Sequence, residues 1–169
     1  MNIRAEFYNA IAERLLNISD QSISTIIKHV DFWNNQYEGD YKEVFSHPAV
    51  FIHIKDIAWH STGKHRQLGQ MEFDLHFATT TKAKSAFARQ YTNHFLAHLE
   101  MIDVIHAWLA GWQHDSFSSL TRIRSHHDTL YGDIIKHIET YRCTVVDTAA
   151  MRSYTKVIGD KLVITVASA

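Results

Sequence analysis

Apolar and polar residues alternate one for one where Met71, Phe73, Leu75 and Phe77 are separated by Glu72, Asp74 and His76. Side chains of a strand point to opposite faces in turn, so this run predicts a strand with one apolar and one polar face. An upstream run has the same period: Val50, Ile52 and Ile54 form one row, and Phe51, His53 and Lys55 the other. Pro48 stands at its entrance, where no ladder donor is needed. Between the two runs, Ala58 to Leu68 carries Ser-Thr-Gly-Lys and no apolar stretch, which predicts an antiparallel hairpin with a long polar tip. On this reading His53 and His76 lie on the polar face near each other, with Glu72 and Asp74 as solvated charges beside them.

A three- to four-residue period governs two other segments. Ile3, Phe7, Ile11 and Leu15 predict an N-terminal amphipathic helix, with Asn17, Ser19 and Asp20 as its stop. Phe87, Tyr91, Phe95, Leu99, Ile102, Ile105 and Leu109 predict a long helix that Gly111 ends, with Trp108 among its core residues. That helix is the expected cover for the apolar face of the sheet. From Ile23 to Trp33 either a strand from about Ile26 or a short helix fits, and the β-branched content favours the strand. Asn34 to Ser46 reads as an exposed connection, and Trp112 to Gly132 as polar and irregular. Ile134 to Val146 predicts a third long strand, and Lys161 to Ala167 a fourth after the turn signal Gly159-Asp160. The sum is an α+β fold: a mainly antiparallel sheet, a long helix on one face and an N-terminal amphipathic helix. Residues 1–169 read as one domain, with 151–169 as a C-terminal strand extension.

Composition narrows the function classes. Seventeen basic against eighteen acidic residues argue against a strongly basic nucleic-acid grip. Cys143 is the single cysteine, which excludes an internal disulfide framework and fits a reducing compartment. The charged, amphipathic start does not read as a signal peptide, and no apolar run is long enough for a bilayer, so a soluble intracellular chain without a membrane partner is expected.

The thirteen histidines raise a metal reading. His94 and His98 stand one helical turn apart, and His126, His127 or Asp128 would complete a ligand set. Against it stand the missing HExxH motif, the lack of a second cysteine and the absence of an acidic residue at ligand spacing. Gly63-Lys64 lacks the flanks of a phosphate-binding loop, and no nucleophile elbow or dinucleotide fingerprint appears. Cys143 has no sequence-local base and reads as a buried, inert thiol. The expectation is therefore no catalytic residue, no metal and no cofactor. Trp59 at the root of the hairpin tip and Trp112 just past the helix are placed either for contact with a partner or for local packing of loop onto core.

The strings FWNNQ (32–36), FSHPAVFIHI (45–54), GQMEFDLHF (69–77), HLEMIDVIHAWLAG (98–111) and FSSLTRIRSHHD (117–128) occur in an order that resembles phage tail-terminator and tail-completion proteins, above all the versions in prophages of the Bacteroidetes. The resemblance spans roughly residues 1–150; the His-rich segment 114–137 and the tail from Met151 are not matched to the family's pattern. It implies a structural virion subunit, assembled in the host cytoplasm, that forms a hexameric ring at the head-proximal end of the tail tube. Such a ring stops tube polymerisation, meets the head-completion proteins of the neck and lets DNA pass without specific binding. In that setting Trp59 is the expected anchor of an interface, with His60, Lys64, His65 and Arg66 as its polar rim and Trp112 as a further contact. A metal-dependent enzyme built on the histidines and a small monomeric binding module of a mobile element are the alternatives.

Overall fold

The structure, a computed structural model, describes residues 2–18, 27–37, 45–63, 65–80, 88–127, 134–148, 154–158 and 162–166, with the backbone alone for 88–94, 154–158 and 162–166. Helix α1 (Ile3–Leu16) leads into β1 (His29–Phe32), β2 (Ala49–Ser61) and β3 (Gln67–Thr80). Helix α2 (Ala88–Leu109), β4 (Thr121–His127), β5 (Ile134–Asp147), β6 (Tyr154–Ile158) and β7 (Leu162–Val166) follow. The first five strands form one sheet in the order β1-β2-β3-β5-β4. Strand β1 runs parallel to β2, and the other three pairings are antiparallel. The fold is α+β with a mainly antiparallel sheet, as the sequence pattern predicts.

Each helix forms for local reasons. The Asn2 side chain accepts a hydrogen bond from the Arg4 N–H at 3.1 Å and caps α1, and Asn17 closes its other end. Gly111, at φ 74°, takes up the left-handed conformation just past α2, and its N–H donates to the Leu120 carbonyl. Both helices cover the same side of the sheet. Ile102, Ile105 and Leu109 of α2 and Phe7, Ile11 and Leu15 of α1 share one core with Val50, Ile52, Met71, Phe73 and Leu75. Burial of each such side chain contributes about 1.5–3 kcal/mol. Phe7 meets Phe73 edge-on, with ring centroids 4.8 Å apart. Trp108 is not part of this core: it is exposed, and the Arg14 guanidinium lies 4.9 Å from its ring centroid.

Two expectations about the sheet change. The hairpin tip is short, because β2 persists to Ser61 and β3 starts at Gln67. The turn from Thr62 to Arg66 is closed by Thr62 N–H to Arg66 O and Arg66 N–H to Gly63 O, both 3.0 Å. The low apolar content of this stretch conceals the strands, which are held by pairing: β5 follows β3 out to Gln67 opposite Asp147. Trp59 lies across Gly69, where an added Cβ would come within 2.7 Å of its ring, so the indole fills the space that a side chain there would need. Second, Thr121–His127 is a strand and not irregular. As the edge of the sheet it is largely exposed and needs no apolar row. The fourth strand expected at Lys161 to Ala167 is β7, and among the described residues it pairs with β6 as a separate two-stranded sheet. The expected strand start at Ile26 and the turn Gly159-Asp160 lie outside the described residues.

The outer face of the sheet is also less open than alternation alone implies. Phe51, Ala49 and Ala78 are buried with Tyr37, and Trp33, Phe45 and Ile134 pack around them. The segment after β1 is folded back over this face. The Trp33 N–H donates to the Ile52 carbonyl at 3.0 Å, and the Gln36 side chain bonds both Asn34 N–H and the Phe32 carbonyl. Asn35, at φ 57°, makes the tight turn that this requires.

Candidate functional site

Two polar clusters lie on opposite faces of the sheet. The outer one is built from neighbouring strands by register: His53 of β2 pairs with Asp74 of β3, and Asp74 with Thr140 of β5. Period two brings His76 onto the same face as Asp74, and its ring lies 5.9 Å from that of His53. Asp74 is buried, and its two oxygens are used differently. Oδ1 accepts hydrogen bonds from Thr140 Oγ1 at 2.6 Å and from Lys55 Nζ at 2.8 Å. Oδ2 lies 3.9 Å from His53 Nδ1. Glu72, further out, is paired with Arg142.

His76 is the most constrained member. It is 6 % exposed, Trp33 stacks flat on its ring at 4.1 Å, and Nδ1 is 3.2 Å from the Tyr37 hydroxyl. Its Nε2 is buried without a hydrogen-bond partner. Burial pushes its pKa down to about 4, more than the nearby Asp74 carboxylate offsets, so the imidazole is neutral at neutral pH. His53, Asp74 and His76 each bring one donor atom to within 4.8 Å of the others. Among the described residues, no other group gathers three histidine, cysteine or carboxylate donors so closely.

The inner cluster lies at the α2 side. Glu139 accepts from His137 Nε2 at 2.8 Å and from Ser125 Oγ at 2.7 Å, with Arg122 Nη1 3.5 Å away. Burial pushes the Glu139 carboxyl up, but these hydrogen bonds and the guanidinium more than reverse it, so its pKa is lowered. His98 of α2 is 2 % exposed, and its Nδ1 is hydrogen-bonded to Thr79 Oγ1 at 2.8 Å. Burial, with His137 and His127 nearby, holds its pKa at about 4. His98 Nε2 and His137 Nδ1 are buried without partners, with rings 6.1 Å apart. This cluster binds helix to sheet and keeps the His98 imidazole neutral.

The candidates named from sequence distribute as follows. His98 and His127 both border the inner cluster, with His137 between them. His126 points to the other face of β4, since it is paired with Ile138 while His127 is paired with His137. His94 lies in α2, where the backbone alone is described, and Asp128 and Lys64 lie outside the described residues. Trp59 is half-buried over Gly69, while His60, His65 and Arg66 are exposed near the hairpin turn. Trp112 packs edge-on to Phe117 and under Arg14. With Glu13, Asn17 and His114 it lines a shallow groove of ≈ 210 Å³ beside α1.

Asp74 and His76 are the residues that a solvated-face reading undervalues: His76 is covered by Trp33 and Tyr37 of a segment without periodicity, and Asp74 is held by Thr140 and Lys55 from the neighbouring strands. Glu139 and His137 are legible only by stepping back in twos from Val145 through Cys143 and Tyr141. No family model matches the chain, and none of the curated proteins compared with it matches either.

Proposed function

We propose that this chain is a structural virion protein: a tail-terminator subunit that closes as a ring at the head-proximal end of a phage tail tube. The ring stops tube polymerisation and offers its far surface to the head-completion proteins of the neck. The reading rests on the order of the sequence strings that resemble that family. The α+β fold is consistent with it.

The observation that carries the assembly part is the C-terminal hairpin. Among the described residues β6 and β7 pair only with each other. A lone two-stranded hairpin is marginally stable in water, so this one gains from a surface to dock on. Strand β4 is such a surface, a sheet edge that is largely exposed from Thr121 to His127. Contact between the hairpin of one subunit and the β4 edge of the next joins two different patches, which is the heterologous geometry that closes rings. A net charge of −1 suits a ring through which DNA slides without being gripped.

The test is to add the purified chain to polymerising cognate tail tube protein and to measure tube lengths by electron microscopy. Capped tubes of reduced length, with the chain at one end, are the expected result. Tubes that grow unchanged with bare ends would overturn the proposal.

A further inference from the structure

We propose that His53, Asp74 and His76 form a binding site for a divalent transition-metal ion of the zinc class, with one coordination position left open. The two-nitrogen, one-carboxylate donor set is a common one for Zn²⁺. The three donor atoms lie within 4.8 Å of one another, and His53 Nδ1 and Asp74 Oδ2 are 3.9 Å apart. Metal–ligand bonds of about 2.0–2.2 Å in a tetrahedron put ligands about 3.4 Å apart, so the donors have to close by about 0.5 to 1.4 Å, within the reach of side-chain rotation at the exposed His53.

The surroundings are those of a ligand set held from behind. Asp74 directs Oδ1 to Thr140 and Lys55, which leaves Oδ2 for the ion. An ion on His76 Nε2 requires the ring proton on Nδ1, and the Tyr37 hydroxyl is placed to accept it. Trp33 fixes the ring plane. Nε2 is the buried nitrogen that nothing else in the structure satisfies, and burying a polar atom without a partner is costly. The imidazole is already neutral at neutral pH, as a ligand must be. His53, nearly half exposed, is the solvent-side ligand and the entry point.

Lys55 opposes the ion. Its ammonium neutralises Asp74 across 2.8 Å, and a dication beside it is repelled unless the half-exposed side chain swings out to water. Removal of that charge should therefore tighten the site, which an adventitious surface histidine would not show.

Tag-free full-length protein is titrated with Zn²⁺ alone by calorimetry, and with Co²⁺ for its absorption spectrum. The expected result is about one ion per chain, with tetrahedral Co²⁺ bands. His53→Gln should weaken binding about tenfold or more, Lys55→Met should tighten it, and His98→Gln should leave it unchanged. Asp74→Asn should behave as His53→Gln does. Should it fail to fold, the exposed His53 carries the same test. Absence of zinc binding, wild-type affinity in His53→Gln, weaker binding in Lys55→Met, or loss of the ion in His98→Gln would each overturn the proposal.

Discussion

The indole of Trp33 lies flat on the imidazole of His76, with ring centroids 4.1 Å apart and planes inclined by 10°. A residue of the irregular segment after β1 thereby seals a histidine in the middle strand of the sheet. The burial that results, with the Tyr37 hydroxyl on Nδ1, makes His76 neutral and leaves its Nε2 without a hydrogen-bond partner.

His76 and His98 on opposite faces give stability the same pH dependence. Burial lowers each pKa from 6.5 to about 4, so between those values the unfolded chain takes up protons that the folded chain refuses. Stability should therefore fall as pH drops through that window, and these groups should have no effect above it. Each contributes a slope of up to about 1.4 kcal/mol per pH unit. Urea unfolding at about pH 7 and about pH 5 should show the loss, and His98→Gln should flatten it. A slope unchanged by His98→Gln would mean that this imidazole is already protonated in the fold.

Gly69 and Trp59 should be energetically coupled. A Cβ at Gly69 meets the Trp59 ring and Ile57 Cγ2 at 2.7 Å, so Gly69→Ala must displace the indole. The expected cost is about 1–3 kcal/mol. In a double-mutant cycle, Gly69→Ala should cost less once Trp59 is alanine, because half of the clash is gone. Additive effects would show that the indole leaves the strand in solution.

Cys143 should be unreactive in the folded protein. It is 4 % exposed, and burial pushes the thiol up to about 12, so almost no thiolate exists at neutral pH. Labelling with a thiol reagent should proceed only at the rate of unfolding, and rapid labelling in native buffer would contradict the packing of β5 described above.

The hydrophobic rows made most of this legible. Alternation along β2 and β3 places His53 and His76 on one face, and the period of α1 and α2 marks the side chains that cover the other. What the pattern conceals has a physical reason in each case. Strand β4 is an exposed edge, so Thr121 to His127 carries no apolar row. The outer turns of the hairpin are held by β5 and by Trp59 over Gly69, and not by burial. His76 reads as a surface residue because the residues that cover it, Trp33 and Tyr37, lie in a turn set by Asn35 and Gln36. Trp108 has the spacing of a core residue yet is turned toward Arg14 at the margin of the helix. Among the described residues no helix is long and apolar enough to cross a membrane.

Ring closure is the claim on which the proposed function stands, and native mass spectrometry measures it most directly. The chain should be measured alone and after release from capped tail tubes. A closed assembly of about six copies is the predicted result, in keeping with cyclic symmetry built from one heterologous contact. Deletion of residues 154–166 should abolish it while the five-stranded sheet stays folded. A single-chain mass at every concentration, both alone and with tube protein present, would contradict the account.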